Sequence, residues 1–193
     1  MNVLLEWDAN ILLWIQENMR TDLMTTIMKG ITRLGDSGCL WIVLTVLFLV
    51  LSNTRKVGVT SAVALIITFL TVNLGIKNIV ARTRPYEVVE GLINLVDKQK
   101  DFSFPSGHAA HAFAVGVVIL IMMPRKIGVP IFVISILMAF SRLYIGVHYP
   151  TDVIAGAAIG TIIAFVSIFI VDIISKKWNK RNLEIEQEEA NGL

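Results

Sequence analysis

Apolar residues run almost unbroken through five stretches of this chain, roughly 38–51, 57–76, 109–123, 127–147 and 153–174, and polar residues gather between them. A membrane-spanning helix needs about 20 such residues, with a range of about 17 to 25. The second, fourth and fifth stretches reach that length, while the first and third must borrow flanking residues. The stretch 21–34, "TDLMTTIMKGITRL", is apolar but carries Lys29 and Arg33. It reads either as a sixth, short span or as a helix at the interface. Ahead of it, "LLEWDANILLWIQ" places Leu4, Leu5, Ile11, Leu12 and Ile15 at helical spacing beside Trp7 and Trp14. This reads as an amphipathic helix in the membrane plane with tryptophans at headgroup level, or as a tilted start to the first span. The pattern predicts an all-α, polytopic transmembrane helix bundle of about six spans with an N-terminal amphipathic helix. Its expected divisions are an interfacial helix at 1–20, a membrane domain at 21–175 and a polar tail at 176–193.

Composition agrees with the membrane assignment. Of 193 residues, 55% are hydrophobic and 17% charged, and the mean hydropathy is +0.71. An average soluble domain carries about 25% charged residues, and a soluble chain this apolar would expose large patches prone to aggregation. The formal net charge of +2 is too small to argue for nucleic acid. A single cysteine, Cys39, excludes an intrachain disulfide framework. The opening "MNVLLEWDAN" lacks the basic region of a secretory signal, so none is expected. No feature of the sequence speaks to oligomeric state.

Basic residues set the expected orientation. "NTRK" (53–56), "PRK" (124–126) and "KKWNKR" (176–181) fall on one side if the five main stretches alternate. The positive-inside rule makes that side cytoplasmic, together with the C-terminal tail. The other ends of the spans then face outward, and every unusual polar residue lies there.

Those residues form three groups. In "KNIVARTRP", Lys77 and Arg84 are seven apart, so on a continued helix they share a face, although Pro85 biases Arg84 toward an extended backbone. Cations at the end of a span also snorkel without further purpose. In "FPSGHAAH", Ser106 suits an N-cap, and the helix N-terminus that follows offers unpaired N–H groups to an anion. Gly107 lets a ligand approach the backbone, and His108 stands in the first turn beside it. In "SRLYIGVHYPTD", Arg142 precedes His148 by six residues, a helical rise of about 9 Å. Pro150 and Thr151 open the next helix and put Asp152 in its first turn, where it can hold a ring N–H of His148. Three cations, a helix N-terminus, two histidines and a carboxylate are the inventory of phosphoryl transfer. A neutral imidazole can attack phosphorus, and a second can act as acid and then base.

The three groups together resemble the type 2 phosphatidic acid phosphatase family of membrane lipid phosphatases, which shares its site with vanadium haloperoxidases. Its motifs are a lysine followed after six residues by Arg-Pro, then Pro-Ser-Gly-His, then Ser-Arg with His and Asp at set spacings. All stand here in order, from residue 77 to 152. The resemblance implies a six-helix core, no metal and no other cofactor, and a lipid phosphate as substrate. His148 would be the nucleophile that forms a phosphohistidine, Asp152 would orient it, and His108 would protonate the leaving oxygen and later activate water. Lys77, Arg84, Arg142, Ser106 and the Gly107 amide would hold the phosphate. The chain's compactness resembles bacterial members acting on phosphatidylglycerol phosphate or undecaprenyl diphosphate, with phosphatidic acid a further family substrate.

Three rival readings remain at the level of sequence. His108 and His111, at i and i+3, could join His148 and Asp152 around a metal, although three nearby cations oppose a divalent ion. Ser106 could be the nucleophile of a serine hydrolase, although "PSGH" is not the usual strand–turn–helix elbow. The cations could also bind or move anionic lipids without chemistry. His111 is otherwise expected to be structural or to support the site from behind.

Overall fold

A computed structural model describes residues 3–191 of the chain, and all its regular elements among those residues are helical. In order they are α1 (Val3–Met19), α2 (Asp22–Leu34), α3 (Cys39–Val50), α4 (Arg55–Thr68), α5 (Lys77–Val80), α6 (Pro85–Val88), α7 (Gly107–Met122), α8 (Arg125–Tyr144) and α9 (Pro150–Asn191). A π-helical segment, Phe69–Ile76, joins α4 to α5 without a break. The stretches Ser52–Val88, Arg125–Tyr144 and Pro150–Glu184 are long and apolar enough to cross a membrane. The 16-residue α7 is apolar but shorter.

The region 21–51 forms two short helices, α2 and α3. With 13 and 12 residues, α2 and α3 are each only about 20 Å long, too short to cross about 30 Å of hydrocarbon. They pass the span criterion only together, bent by 49°. The break lies at Gly35–Gly38, where Ser37 and Gly38 take positive φ of 54° and 72° and end the helical path.

Helix α1 also differs in detail. Leu12 and Ile15 face inward with Ala9 and Asp8, whereas Leu4, Leu5, Ile11, Trp7 and Trp14 point outward. The apolar residues therefore serve two faces, one packed on the bundle and one left to its surroundings. Helix α9 continues to Asn191, and Lys176–Asp172 and Lys180–Glu184 are i,i+4 pairs along it.

The core forms around α7, whose inward residues Ala112, Ala114, Val115, Val118 and Ile119 meet Trp41, Met138 and Ala164. Lipid tails are as apolar as leucine, so close packing rather than hydrophobic burial must hold such helices together. Small residues supply it. A Cβ on Gly156 would come within 2.5 Å of the Ser106 carbonyl oxygen, and one on Gly160 within 2.2 Å of that of Ala110. This contact sets the first turns of α7 and α9 side by side, and the Ser106 N–H donates to the Asp152 carbonyl at 3.0 Å. The two helix starts that carry His108 and Asp152 are thereby fixed together.

Candidate active site

Each motif reaches the site through a local break in its helix. Lys77 follows the π-helical segment, a feature that rotates later side chains relative to the turns before it and recurs at functional sites. The helix then stops at Val80, because Ala81 takes φ 47° and Arg84 is extended at φ −75°, ψ 150°. Lys77 and Arg84 therefore do not share a continued helix face. They meet because the chain turns at Ala81 and the loop 89–106 closes over them. Asp101, from that loop, pairs with Lys77 through one carboxylate oxygen and with Arg84 through the other, at 2.5 Å from Nη2.

Ser106 caps α7 as its position predicts, its hydroxyl accepting from the Ala109 N–H at 3.4 Å. It is wholly buried in that role and does not line the cavity described below. Gly107 and His108 follow at the open N-terminus, with His108 Nε2 3.3 Å from Asp36 Oδ1. His111 turns back, its Nδ1 2.8 Å from the Gly107 carbonyl oxygen.

Helix α8 ends at Tyr144, and Gly146 at φ 80° turns the chain so that His148 comes back beside Arg142. Arg142 is 2% exposed and bonds the Thr32 hydroxyl, while its Nε has no protein partner. His148 is 1% exposed. Its Nε2 lies 3.4 Å from Arg84 Nη1, and its Nδ1 faces Asp152 Oδ2 at 3.4 Å. Burial, and then the charges of Arg84, Arg142 and Lys77, push its pKa well below the ordinary 6.5, so the ring is neutral. Burial raises the pKa of Asp101, but the hydrogen bond and charge of Lys77 and the charge of Arg84 outweigh it and bring the group down to about 2.

Lys77, Arg84, Arg142, Gly107, His108 and His148 line one cavity of about 430 Å³, with Asp101 in its wall. Six of the eight expected site residues converge there; Ser106 and Asp152 stand behind, the first aiming the helix and the second backing the histidine. A second cavity of about 370 Å³ shares Ser37, Gly38, Phe69 and His111 with the first. Its remaining walls, Ile42, Leu65, Ile66 and Leu70, are apolar. A charged chamber and a greasy groove thus lie side by side, with Ser37, Gly38, Phe69 and His111 lining both.

Among the described residues, no three His, Cys, Asp or Glu side chains are placed to hold one metal ion. The four groups of the metal reading do not converge, since His111 bonds its own helix and Asp152 is held by other donors. Both Asp152 oxygens are engaged: Oδ2 by the Ser103 hydroxyl and the Tyr149 N–H at 2.9 Å, and Oδ1 by Arg82 at 2.6 Å. Sequence reasoning missed Asp101, Asp36, Ser103 and Arg82. Arg82 stands inside the first motif and Asp101 a few residues ahead of the second, but nothing in their spacing distinguishes them from solvated charges.

Comparison with known proteins follows the same lines. An undecaprenyl-diphosphatase of Sulfolobus acidocaldarius is 35% identical over 130 residues, covering 67% of this chain and 63% of the relative. The chain thus spans less than two thirds of that relative's length. Among solved structures, a transmembrane PAP2-type phosphatidylglycerolphosphate phosphatase from Bacillus subtilis superposes with a TM-score of 0.70 at 26% identity, covering 92% of this chain and 88% of the other. LpxE of Aquifex aeolicus gives 0.74 at 26% identity, covering 87% and 96%. The PAP2 superfamily pattern matches residues 56–175, well over half the sequence, and the chain belongs to that superfamily.

Proposed function

We propose that this chain is an integral-membrane lipid phosphatase that works through a phosphohistidine. The observation that carries the reading is the buried His148, with Nε2 beside Arg84 and Nδ1 toward Asp152, in a cationic cavity that adjoins an apolar groove. The groove accommodates hydrocarbon while the phosphate occupies the chamber. Lys77, Arg84, Arg142 and the Gly107 amide neutralise its oxygens as charge develops. His148 Nε2 attacks phosphorus and the bond to the lipid oxygen breaks, with His108 giving that oxygen its proton. Asp152 stabilises the ring as it becomes cationic. His108 then takes a proton from water, which attacks the phosphohistidine and releases inorganic phosphate. No metal enters these steps.

The basic connections 53–56 and 124–126 lie at the opposite end of the bundle from the cavity, which supports a site facing outward and a cytoplasmic C-terminus. The substrate is a phosphate monoester or diphosphate of a lipid, with phosphatidylglycerol phosphate, undecaprenyl diphosphate and phosphatidic acid as the candidates. The undecaprenyl-diphosphatase and phosphatidylglycerolphosphate phosphatase among the similar proteins favour the first two.

Phosphate release by purified protein in detergent tests the reading, with each candidate lipid, with and without chelator, for wild type and His148→Ala. Chelator-insensitive release by wild type alone supports it. Loss of activity in chelator restores the metal reading. Lipid binding without turnover favours an anionic-lipid binder or translocator.

A further inference from the structure

Helix α1 has one charged side chain turned into the protein. Asp8 is 2% exposed, beside Ala9, Leu12 and Ile15 on the buried face. A carboxylate in that position is costly unless it is fully bonded, and Asp8 is. Its Oδ1 accepts from the Thr151 N–H at 3.0 Å, and its Oδ2 from the Thr151 hydroxyl at 2.5 Å and from Arg82 Nη2 at 2.7 Å. The other end of the same guanidinium donates through Nη1 to Asp152 Oδ1 at 2.6 Å and to the Thr151 hydroxyl at 2.7 Å. The guanidinium carbon lies over the Tyr149 ring, 3.8 Å from its centroid, a cation–π contact that helps hold it.

The result is a row of four groups: His148, Asp152, Arg82, Asp8. Its members come from four separate parts of the chain, namely the turn after α8, the start of α9, the extended stretch after α5, and α1. Arg82 alone would spend the charge of Asp152, leaving a neutral pair behind the nucleophile. Asp8 balances Arg82, so the row keeps one net negative charge while His148 is neutral and becomes neutral when the ring turns cationic. The surroundings of His148 make that balance consequential. Lys77 from α5, Arg84 from the following loop and Arg142 from α8 all face it, as does His108 from α7, and Asp101 offsets only Lys77 and Arg84.

We propose that Asp8 and Arg82 are positioning residues for the reaction: the N-terminal helix supplies the carboxylate that holds Arg82 against Asp152 and leaves Asp152 charged toward His148. This rests on the phosphatase reading above. Arg82 sets the carboxylate plane through Oδ1, so that Oδ2 faces the imidazole. A helix ahead of the matched region 56–175 thereby takes part in setting the nucleophile.

The test is a double-mutant cycle on the full chain in detergent, read as phosphate release. Asp8→Asn removes the charge and keeps the shape. It should lower kcat about tenfold with KM within about twofold, the loss expected when one charge-assisted contact behind a reacting group goes. In an Asp152→Asn background the same change should cost less than about twofold, because its route to the histidine is already cut. Arg82→Lys keeps the charge without the fork and should show the same pattern, which keeps the test valid if Asp8→Asn does not fold. Losses that multiply in the double mutants, or single variants with wild-type kcat, would overturn the proposal while leaving the phosphatase reading intact. A wild type that releases no phosphate from any lipid would overturn both.

Discussion

Asp101 accepts from Arg84 at 2.5 Å, and its second oxygen pairs with Lys77. Two of the three cations that would grip a phosphate already hold a carboxylate of the chain's own. It serves as a resident counter-ion, offsetting the repulsion between the buried Lys77 and Arg84. An incoming phosphate must displace it or share the donors.

Asp101→Asn should therefore tighten the site for anions and loosen the protein. Losing a competitor for two charge-assisted bonds is expected to lower the inhibition constant of inorganic phosphate about tenfold. The melting temperature should fall, since two buried cations lose their partner. Phosphate inhibition and thermal unfolding of the same preparation check both halves.

A second prediction concerns acid. The pKa of His148 lies well below 6.5 in the folded chain, while unfolding restores the ordinary value. The unfolded state thus binds a proton first, so the contribution of this group is full above about pH 6.5 and falls as pH drops toward the folded value. Thermal stability should decline on acidification from pH 6.5, and less steeply in His148→Asn. The acid limb of kcat/KM should lie below pH 6.5, because the nucleophile stays neutral there. An acid limb near 7 would contradict the buried, cation-flanked environment.

Arg142→Ala should slow turnover by about 10²–10³, the usual cost of removing one preorganised donor from developing charge. Arg142→Lys should recover only part, since an ammonium lacks the guanidinium fork. Single-turnover rates separate this loss from weaker lipid binding.

Two glycines make a packing test. Gly160→Leu would drive a side chain against the Ala110 carbonyl oxygen, where even a Cβ comes within 2.2 Å, and should destabilise by about 1–3 kcal/mol or more. Gly30→Ala meets nothing within 4 Å and, in a helix interior, should gain about 0.5–1 kcal/mol. Denaturant titration of the two variants should show opposite signs.

The apolar groove offers a fifth test. Ile66→Trp adds bulk at an exposed position in the wall of the groove. It should raise KM for long-chain lipid phosphates and leave short-chain analogues within about twofold. Equal effects on both would place the hydrocarbon elsewhere.

The sequence disclosed the site better than the paths leading to it. Lys77, Arg84, His108, Arg142 and His148 were readable because membrane helices tolerate few charges, and spacing grouped those few into motifs. The helix stop at Ala81 was not readable, since alanine rarely takes the positive φ it has here. The broken pair α2–α3 was likewise hidden, because hydropathy measures apolar length and carries no record of a 49° bend. Asp8 and Asp101 lie in segments where charged residues are ordinary, and Arg82, inside the first motif, has no spacing that sets it apart. Only the fold, which brings residue 8 to residue 151 and residue 101 to residue 77, gives them partners.

The placement of the apolar groove beside the polar chamber has a kinetic consequence. An amphiphile that enters with its chains still among its neighbours never leaves its own phase. In the proposed reaction, the concentration that governs rate is then the mole fraction of substrate in the surface, not its amount per litre. Diluting the lipid with inert detergent at constant bulk concentration should slow the protein, while diluting the whole suspension with buffer should not.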